Sequence, residues 1–365
     1  MKRYNSARRA PRLQSAGRGI DREKHNGPYM AGFTIKDVAR QAEVSVGSVS
    51  RVLNGLPVSE KLKKKVDAAV AQLGYQPNSL ARSMRTRSTG AVGCLVPDIS
   101  NPLYGATLKA VDARLRSNGK MLLLANSGDS ARTELDVIAE FRRRRVDGLL
   151  LAPGSDADGP LLDALRQFGG PVTVLGGDFP EEFAAVTTDY RTGVRAATRY
   201  LLELGHRRVA LLTPLADLWP GRERIAGFRA AFREAGLPAA NALVRPQHLG
   251  LDAGDEVAAL LSDPQPPTAL VLLGTRILAG GLKTVQARKL KIPRDVSIVS
   301  IGDTDWTAVH EPPITTLRWN VDEVANALVD LLLVQMREPA GSRPPGRVTV
   351  PTELVLRRSC AAPSH

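Results

Sequence analysis

Between Thr34 and Asn54 the chain reads TIKDVARQAEVSVGSVSRVLN, and its apolar residues fall on a helical period, stop, and restart on a second one. That pattern specifies two short amphipathic helices joined by a tight turn. Thr34 stands where its hydroxyl can cap the first helix, and Asp37, three residues on, completes a capping-box arrangement. Ile35, Val38 and Ala39 then share one face. Ser45 is a second cap, Val49, Val52 and Leu53 point inward, and Val46, Gly47, Ser48, Ser50 and Arg51 occupy the opposite face. In a helix-turn-helix arrangement the second helix enters the major groove of DNA, where residues near its start meet base edges and an arginine can pair bidentately with guanine.

Charge leads to the same place by a separate route. Residues 1–31 hold eight basic and two acidic residues and residues 32–90 hold ten and four, which puts twelve of the net +13 charges before residue 91. A basic head on a nearly neutral body implies a polyanion for the head and another task for the body, because phosphate contacts supply most sequence-independent affinity. A membrane-surface role would need bulky apolar anchors, and among them this region offers only Phe33.

With 365 residues, 43% of them hydrophobic, the chain can bury a large core in at least two domains. Cys94 and Cys360 are too few and too far apart for a disulfide framework or a metal site, so both read as ordinary thiols of a reducing cytosol. No run approaches a membrane span, and the basic start lacks the apolar stretch of a secretory signal. A cytoplasmic, nucleoid-associated protein is the expectation. Residues 1–31 are expected to be a disordered basic tail, dispensable rather than phosphate-binding, since Met30 directly precedes AGFTIKDVAR.

Downstream, Ser59 can cap a third helix ended by Gly74, with Val66, Val70 and Leu73 facing in and Lys61, Lys63, Lys64 and Lys65 on a solvated face. Then comes YQPNSLARSMRTRSTGAVG. Pro77 and Asn78 start a short helix with Leu80, Ala81 and Met84 on one face, flanked by Arg82, Arg85 and Arg87. Nothing here can bury a core alone, so the segment is either a plain linker or a helix that forms only when paired on DNA, where apolar side chains wedge between minor-groove base steps.

The body alternates short apolar strands with helical stretches. AVGCLVP, MLLLA, GLLLA, PVTVLG, VALLT, ALVLL and SIVSI are the strands, starting at Ala91, Met121, Gly148, Pro171, Val209, Ala269 and Ser297. Such alternation gives parallel sheets with helices on both sides, in number enough for two, and ligands of open α/β sheets bind at the carboxyl ends of the strands.

From about Phe33 to about Arg358 the chain resembles the LacI/GalR family, the lactose-repressor class of bacterial transcription regulators. The most specific segments are TIKDVARQAEVSVGSVSRVLNG and YQPNSLARSMRTRSTGAVG, followed in order by PDISNPLYG, VDGLLLAP, LLELGHRRVALLTP, RIAGFRAAFREAGL, KIPRDVSIVSIGD and PPITTLR. The resemblance implies an N-terminal all-α helix-turn-helix DNA-binding domain (32–76), a hinge helix and linker (77–90), and an α/β two-lobed, periplasmic-binding-protein-like effector and dimerisation domain with parallel sheets (91–365). It further implies that the chain crosses between lobes near Thr187, Thr316 and Arg343, giving lobe 1 about 91–187 and 317–343 and lobe 2 about 188–316 and 344–360.

Site residues follow from the same resemblance. Val46 and Gly47 fall on the family's main base-reading pair and Arg51 on a second reading position, while Ser45, Ser48, Ser50 and Asn54 fall on phosphate or groove contacts and Thr34 joins the DNA-binding set. With methyls at Val46 and no side chain at Gly47, discrimination there would come from shape or thymine-methyl contact. In the hinge, Asn78, Ala81, Arg82 and Arg85 accompany Met84, which takes the place of the family's minor-groove leucine. The effector pocket maps onto Asn101, Tyr104, Asp189 and Arg224; the guanidinium of Arg224 can grip hydroxyls or a carboxylate, or could equally be spent on Glu223 or Asp217. Two departures matter. Gly274 and Thr275 stand where many members carry Asn-Asp, and Gly302 precedes Asp303 where sugar binders often present Asp. Asp305 and Trp306, with Trp219, are the candidate replacements, although Trp306 also suits core packing.

No catalytic constellation, glycine-rich phosphate loop or metal spacing is present, and His206 in ELGHRR sits at a helix end suited to capping carbonyls. Neither enzyme activity nor a cofactor is expected. Two other readings stay open: a periplasmic-type solute-binding module, which would need a secretion signal and no DNA reader, and a nonspecific architectural DNA-binding protein. The favoured reading is a homodimeric, sequence-specific regulator, most simply a repressor, whose partners are a palindromic double-stranded operator and a sugar-like effector, with no membrane. The final residues carry no leucine heptads, which argues against a tetramer.

Overall fold

Three helices, α1 (Ile35–Ala42), α2 (Val46–Leu53) and α3 (Glu60–Leu73), close on a small core of Val38, Ala39, Ala42, Val49, Val66 and Ala69. Thr34 donates its backbone N–H and its hydroxyl to Asp37, at 2.9 and 2.7 Å, so α1 starts where its capping pair stands. Ser45 Oγ accepts the Ser48 amide at 3.1 Å and starts α2, while Gly74, at φ 57°, ends α3 in the left-handed conformation that glycine tolerates best. These helices belong to one of two compact units, residues 1–79 and 80–365, into which the chain divides in a computed structural model that describes residues 33–75, 88–128, 130–155, 157–247, 252–338 and 346–364.

The second unit holds twelve strands: β1 (Ala91–Val96), β2 (Met121–Asn126), β3 (Gly148–Leu151), β4 (Val172–Leu175), β5 (Ala184–Thr188), β6 (Val209–Pro214), β7 (Ala242–Gln247), β8 (Ala269–Leu272), β9 (Ser297–Ile301), β10 (Thr315–Trp319), β11 (Arg347–Val350) and β12 (Thr352–Val355). They form two six-stranded sheets, ordered β2-β1-β3-β4-β5-β11 and β7-β6-β8-β9-β10-β12. Every pairing is parallel except β12 on β10. Five of these strands, β5, β7, β10, β11 and β12, carry no uninterrupted apolar run and escape a reading based on hydrophobicity alone.

Helices cover both sheets. Between the strands of the first lie α4 (Pro102–Ser117), α5 (Ala131–Arg143) and α6 (Gly159–Phe168); α7 (Tyr190–Glu203), α8 (Trp219–Glu234), α9 (Gly254–Leu261), α10 (Thr275–Ala287) and the short α11 (Asp305–Val309) follow with the second. Last, α12 (Val321–Arg337) returns to the first, where Val324, Ala325, Leu328, Val329 and Leu332 bury against Val92, Cys94, Val111 and Leu115. In the second lobe, Val194, Ala197 and Leu201 of α7 meet Phe228 and Phe232 of α8 over Val209, Leu211 and Val271. Each such large apolar side chain contributes roughly 1.5–3 kcal/mol on burial, which is what commits alternating strands and helices to layers.

The chain changes lobe after β5, again after β10, and a third time at Pro351, between β11 and β12. The third crossing expected near Arg343 falls outside the described residues at that point. The strand that follows, Arg347–Val350, still pairs in register with Ala185–Thr188 of the first sheet, which carries the first lobe on to Val350.

His206 differs from its expected role. It is buried between Thr268 Oγ1, 2.7 Å from Nδ1, and Ser297 Oγ, 3.1 Å from Nε2, and so links the helix end to two strands of the sheet instead of capping carbonyls.

Candidate functional site

In the helical unit, the outward face of α2 presents the residues expected to read DNA. Val46 is 41% exposed, Gly47 is open, and Arg51 is exposed and, among the described residues, pairs with no carboxylate. The polar residues around them are less free than their types suggest. Ser45 and Ser48 bond each other as well as the helix start, at 2.9 Å between hydroxyls, and Asn54 Nδ2 donates to Ser50 O at 2.6 Å and to Ser50 Oγ at 3.2 Å, closing the helix end. Thr34 is occupied by Asp37. Hence Arg51 is the long donor left for base edges, with Val46 as an apolar contact, while the serines and Asn54 can offer phosphate only what the helix caps leave over. Lys61, Lys63 and Lys64 lie exposed on α3, and Lys65 approaches Glu43 at 3.8 Å. The hinge residues Asn78, Ala81, Arg82, Met84 and Arg85 lie outside the described residues.

Within the second unit, a cavity of about 130 Å³ opens between the two sheets at the carboxyl ends of their strands. That position follows from topology. In each sheet the strand order reverses around β1 and β6, which leaves a crevice beside their carboxyl ends. The walls are Asn101, Leu103 and Tyr104 after β1, Pro153 and Ser155 after β3, Gly176 to Phe179 after β4, Thr187 to Tyr190 at β5 without Asp189, Pro214 to Arg224 in part after β6, Leu273 and Gly274 after β8, and Trp319 at the end of β10. With one water-sized sphere needing roughly 10–15 Å³, the space admits a molecule about ten times that size.

Four of the predicted effector residues therefore meet here: Asn101, Tyr104, Trp219 and Arg224. Arg224 is 8% exposed, its guanidinium carbon lies 4.3 Å above the ring centre of Tyr190, and Nη1 reaches Thr213 Oγ1 at 3.5 Å. Its Nε has no acceptor. Neither of the surface partners considered for it takes it: Glu223 binds Arg191 at 2.7 and 2.8 Å, and the carbonyl of Asp217 accepts from Arg222. Tyr190 also stands 5.9 Å from Trp219 and 6.0 Å edge-on from Trp319, which gives the cavity an aromatic wall.

The other four predicted residues are held elsewhere. Asp189 Oδ1 accepts the Thr192 amide at 3.0 Å as the cap of α7, and its neighbour Tyr190 takes the place at the cavity. Asp303 pairs with Arg357 at 2.6 Å and Arg318 at 3.5 Å. Asp305 sits in the first turn of α11, and Trp306 packs against Val296, Ile298 and Ile314 in the second lobe's core. These side chains face helix caps, arginines and core, all of which satisfy them better than an open cleft. Tyr190 and Trp319 were the residues sequence reading passed over; each directly follows a strand end, the one signal that could have found them.

Two ion pairs cross the cleft mouth. Asp178 after β4 binds Arg222 of α8, and Arg276 of α10 binds Ser100 Oγ at 2.8 Å and lies 3.7 Å from Asp98. On the wall side, Glu134, 1% exposed, accepts the Gly154 amide at 2.7 Å and the Ser155 hydroxyl, which fixes the loop after β3. Farther from the cavity, Asp147 gathers Ser88 Oγ, the Thr89 and Gly90 amides and Lys120 Nζ within 2.6–3.0 Å. Burial pushes its carboxyl up, but the hydrogen bonds from Lys120, Ser88 and Thr89 outweigh that and hold it below the usual carboxylate range. Residues 88–90, where the chain enters the second unit, are thereby fastened to the first lobe.

Residues 34–78 match the model of a family described as bacterial regulatory proteins, lacI family, and residues 198–360 match that of a periplasmic binding protein-like domain. The chain is 30% identical over 311 residues to the ribose operon repressor of Escherichia coli (strain K12), across 84% of this chain and 94% of that one. It is similar to a solved transcriptional regulator, the CelR–cellobiose complex, at 29% identity and a TM-score of 0.67, over 90% of this chain and 99% of the other. The lac repressor dimer bound to operator and the anti-inducer ONPF shares the fold, with a TM-score of 0.78 at 24% identity over 90% and 99% of the two chains.

Proposed function

This chain belongs to the lacI family of bacterial regulatory proteins and is a DNA-binding transcription regulator, and on that premise we propose that it represses transcription as a homodimer on a palindromic double-stranded operator, under control of a sugar-class small molecule bound between its lobes. One observation carries the reading: a capped helix α2 with Val46, Gly47 and Arg51 turned outward is encoded in the same chain as a two-lobed cleft lined by a buried arginine and three aromatic rings. The names of the ribose operon repressor and the cellobiose-bound regulator support the sugar class. Among the described residues no helix is long and apolar enough to cross a membrane.

On this reading Arg51 reads a base edge from each half-site, Met84 and its neighbours contact the minor groove, and Asn101, Tyr104, Trp219 and Arg224 hold the effector with Tyr190 and Trp319. A ligand that prefers one relative placement of the lobes shifts DNA affinity by linkage, through the segment that Asp147 fastens.

The test is selection of bound sequences from a random DNA pool by the full chain, at two salt concentrations, with Arg51→Ala in parallel. A palindromic site that the variant loses is the expected result. Unselective binding with a steep salt dependence in both proteins overturns the reading in favour of an architectural role.

A further inference from the structure

The cleft is electrostatically one-sided. Arg224 is more than nine-tenths buried, makes no ion pair, leaves Nε without an acceptor, and spends only Nη1 on a neutral hydroxyl at the limit of hydrogen-bond distance. Burying a guanidinium is costly unless an anion and good acceptors meet it. The described walls hold one other ionised group, Asp178, and that carboxylate is taken by Arg222. Asp303, the acid nearest in sequence to the cavity's β9 wall, is turned to Arg357 and Arg318, and Gly274 brings no side chain at all. Four helices, α4, α7, α8 and α10, begin at the cavity wall with Leu103, Tyr190, Trp219 and Gly274, so their amide-rich ends add to the positive potential.

We propose that the effector is a small carboxylate: its ring or compact apolar body lies on Tyr190, Trp219 and Trp319, and its carboxylate pairs with the guanidinium of Arg224. This rests on the reading of the cleft as the effector site and narrows it. A neutral sugar would leave the buried charge of Arg224 without a counter-ion, whereas a planar carboxylate matches both its single charge and its forked donors. A phosphate dianion carries more charge than the one unpaired cation balances. Within the sugar class, a sugar acid satisfies both the aromatic wall and the arginine.

Calorimetric titration and thermal melting of the full chain test this with matched probes: glucose, glucuronate and glucose 6-phosphate; galactose and galacturonate; and benzoate as a ring with no hydroxyls. At least one carboxylate is expected to bind and to raise the melting temperature, with its neutral counterpart at least about tenfold weaker; loss of a charge-assisted hydrogen-bond pair in Arg224→Gln should weaken that carboxylate by about tenfold to a hundredfold. Arg224→Lys, which keeps the charge and loses the fork, should recover part of the loss. Circular dichroism and DNA binding of both variants report whether they fold. Tighter binding of a neutral sugar or of the phosphate overturns the carboxylate and leaves the regulator reading standing. So does equal binding to wild type and to a folded Arg224→Gln. If no probe binds while the chain still selects a palindromic DNA site, the carboxylate and the sugar class both fall and the DNA-binding function survives.

Discussion

Gly177 on the first lobe stands against the indole of Trp219 on the second: a Cβ at position 177 would lie 2.1 Å from Trp219 Nε1 and 2.3 Å from Cε2. Across the same cleft, a Cβ on Gly302, whose φ is +89°, would meet Leu103 Cδ2 at 2.6 Å. The two lobes therefore touch through glycines, and the absence of two side chains sets how far the cleft closes. Asp178 beside Gly177 and Arg222 beside Trp219 add an ion pair at the same seam.

Gly177→Ala should hold the seam open or push Trp219 out of the aromatic wall, at a cost of about 1–3 kcal/mol for overpacking. The measurement is a double-mutant cycle by thermal or urea unfolding. Trp219→Ala should relieve the clash, so the double variant costs less than the two single changes added together. Strict additivity would show that the contact does not limit closure.

At Gly47 the opposite holds. A Cβ there would meet only Ser45 Oγ at 3.6 Å, an ordinary contact, and the residue is in the first turn of α2. Gly47→Ala should leave stability unchanged or raise it by up to about 1 kcal/mol, since alanine favours helix. Its effect should appear instead in the sequence preferred in DNA selection, where a new methyl faces the groove.

Asp147 fastens residues 88–90. Asp147→Asn removes the charge that Lys120 answers and half of the acceptors for Ser88, Thr89 and Gly90, so unfolding free energy should fall by about 3 kcal/mol, as for a broken buried pair. The sign with pH is set by the lowered carboxyl: its stabilisation is complete above the ordinary aspartate value of 3.8 and is lost as pH falls through the lower folded-state value. Wild type and variant should therefore converge in acid, which a series of urea melts can read.

Burial holds His206 below the ordinary histidine value of 6.5, against the opposing pull of the Ala361 backbone. A depressed histidine favours the neutral ring in the folded state, so its contribution is whole above pH 6.5 and drains away as pH falls through the folded-state value. The melting temperature of the wild type should drop more steeply than that of His206→Gln between about pH 7 and pH 5. A parallel decline would show that the ring titrates as it does in the unfolded chain.

Local chemistry wrote the helical unit plainly. The caps Thr34, Ser45, Ser59 and Gly74 act within three or four residues, and the inward faces of α1, α2 and α3 follow from a period that any window of the chain displays. The same holds for the seven apolar strands, which are buried on both faces and so are apolar throughout. Strands such as Ala242–Gln247 and Arg347–Val350 were hidden because their edge positions leave one side wet and admit Arg and Gln.

The cleft was legible only in part, for a physical reason. Arg224 and Asn101 could be placed because their short motifs fix them at the start of a helix. Whether a carboxylate faces the cavity depends on which donor lies nearest in space, and that is a long-range fact: Arg357 is 54 positions from Asp303, and Arg222 is 44 from Asp178. The sequence alone determined a DNA-reading helix pair, a basic head and two alternating α/β lobes, since each rests on neighbours along the chain. Tertiary structure decided that Tyr190 and Trp319 line the cavity, that Asp189, Asp303, Asp305 and Trp306 do not, and that Arg224 is buried there without a counter-charge, because pairing and burial are settled by the folding of distant segments onto one another.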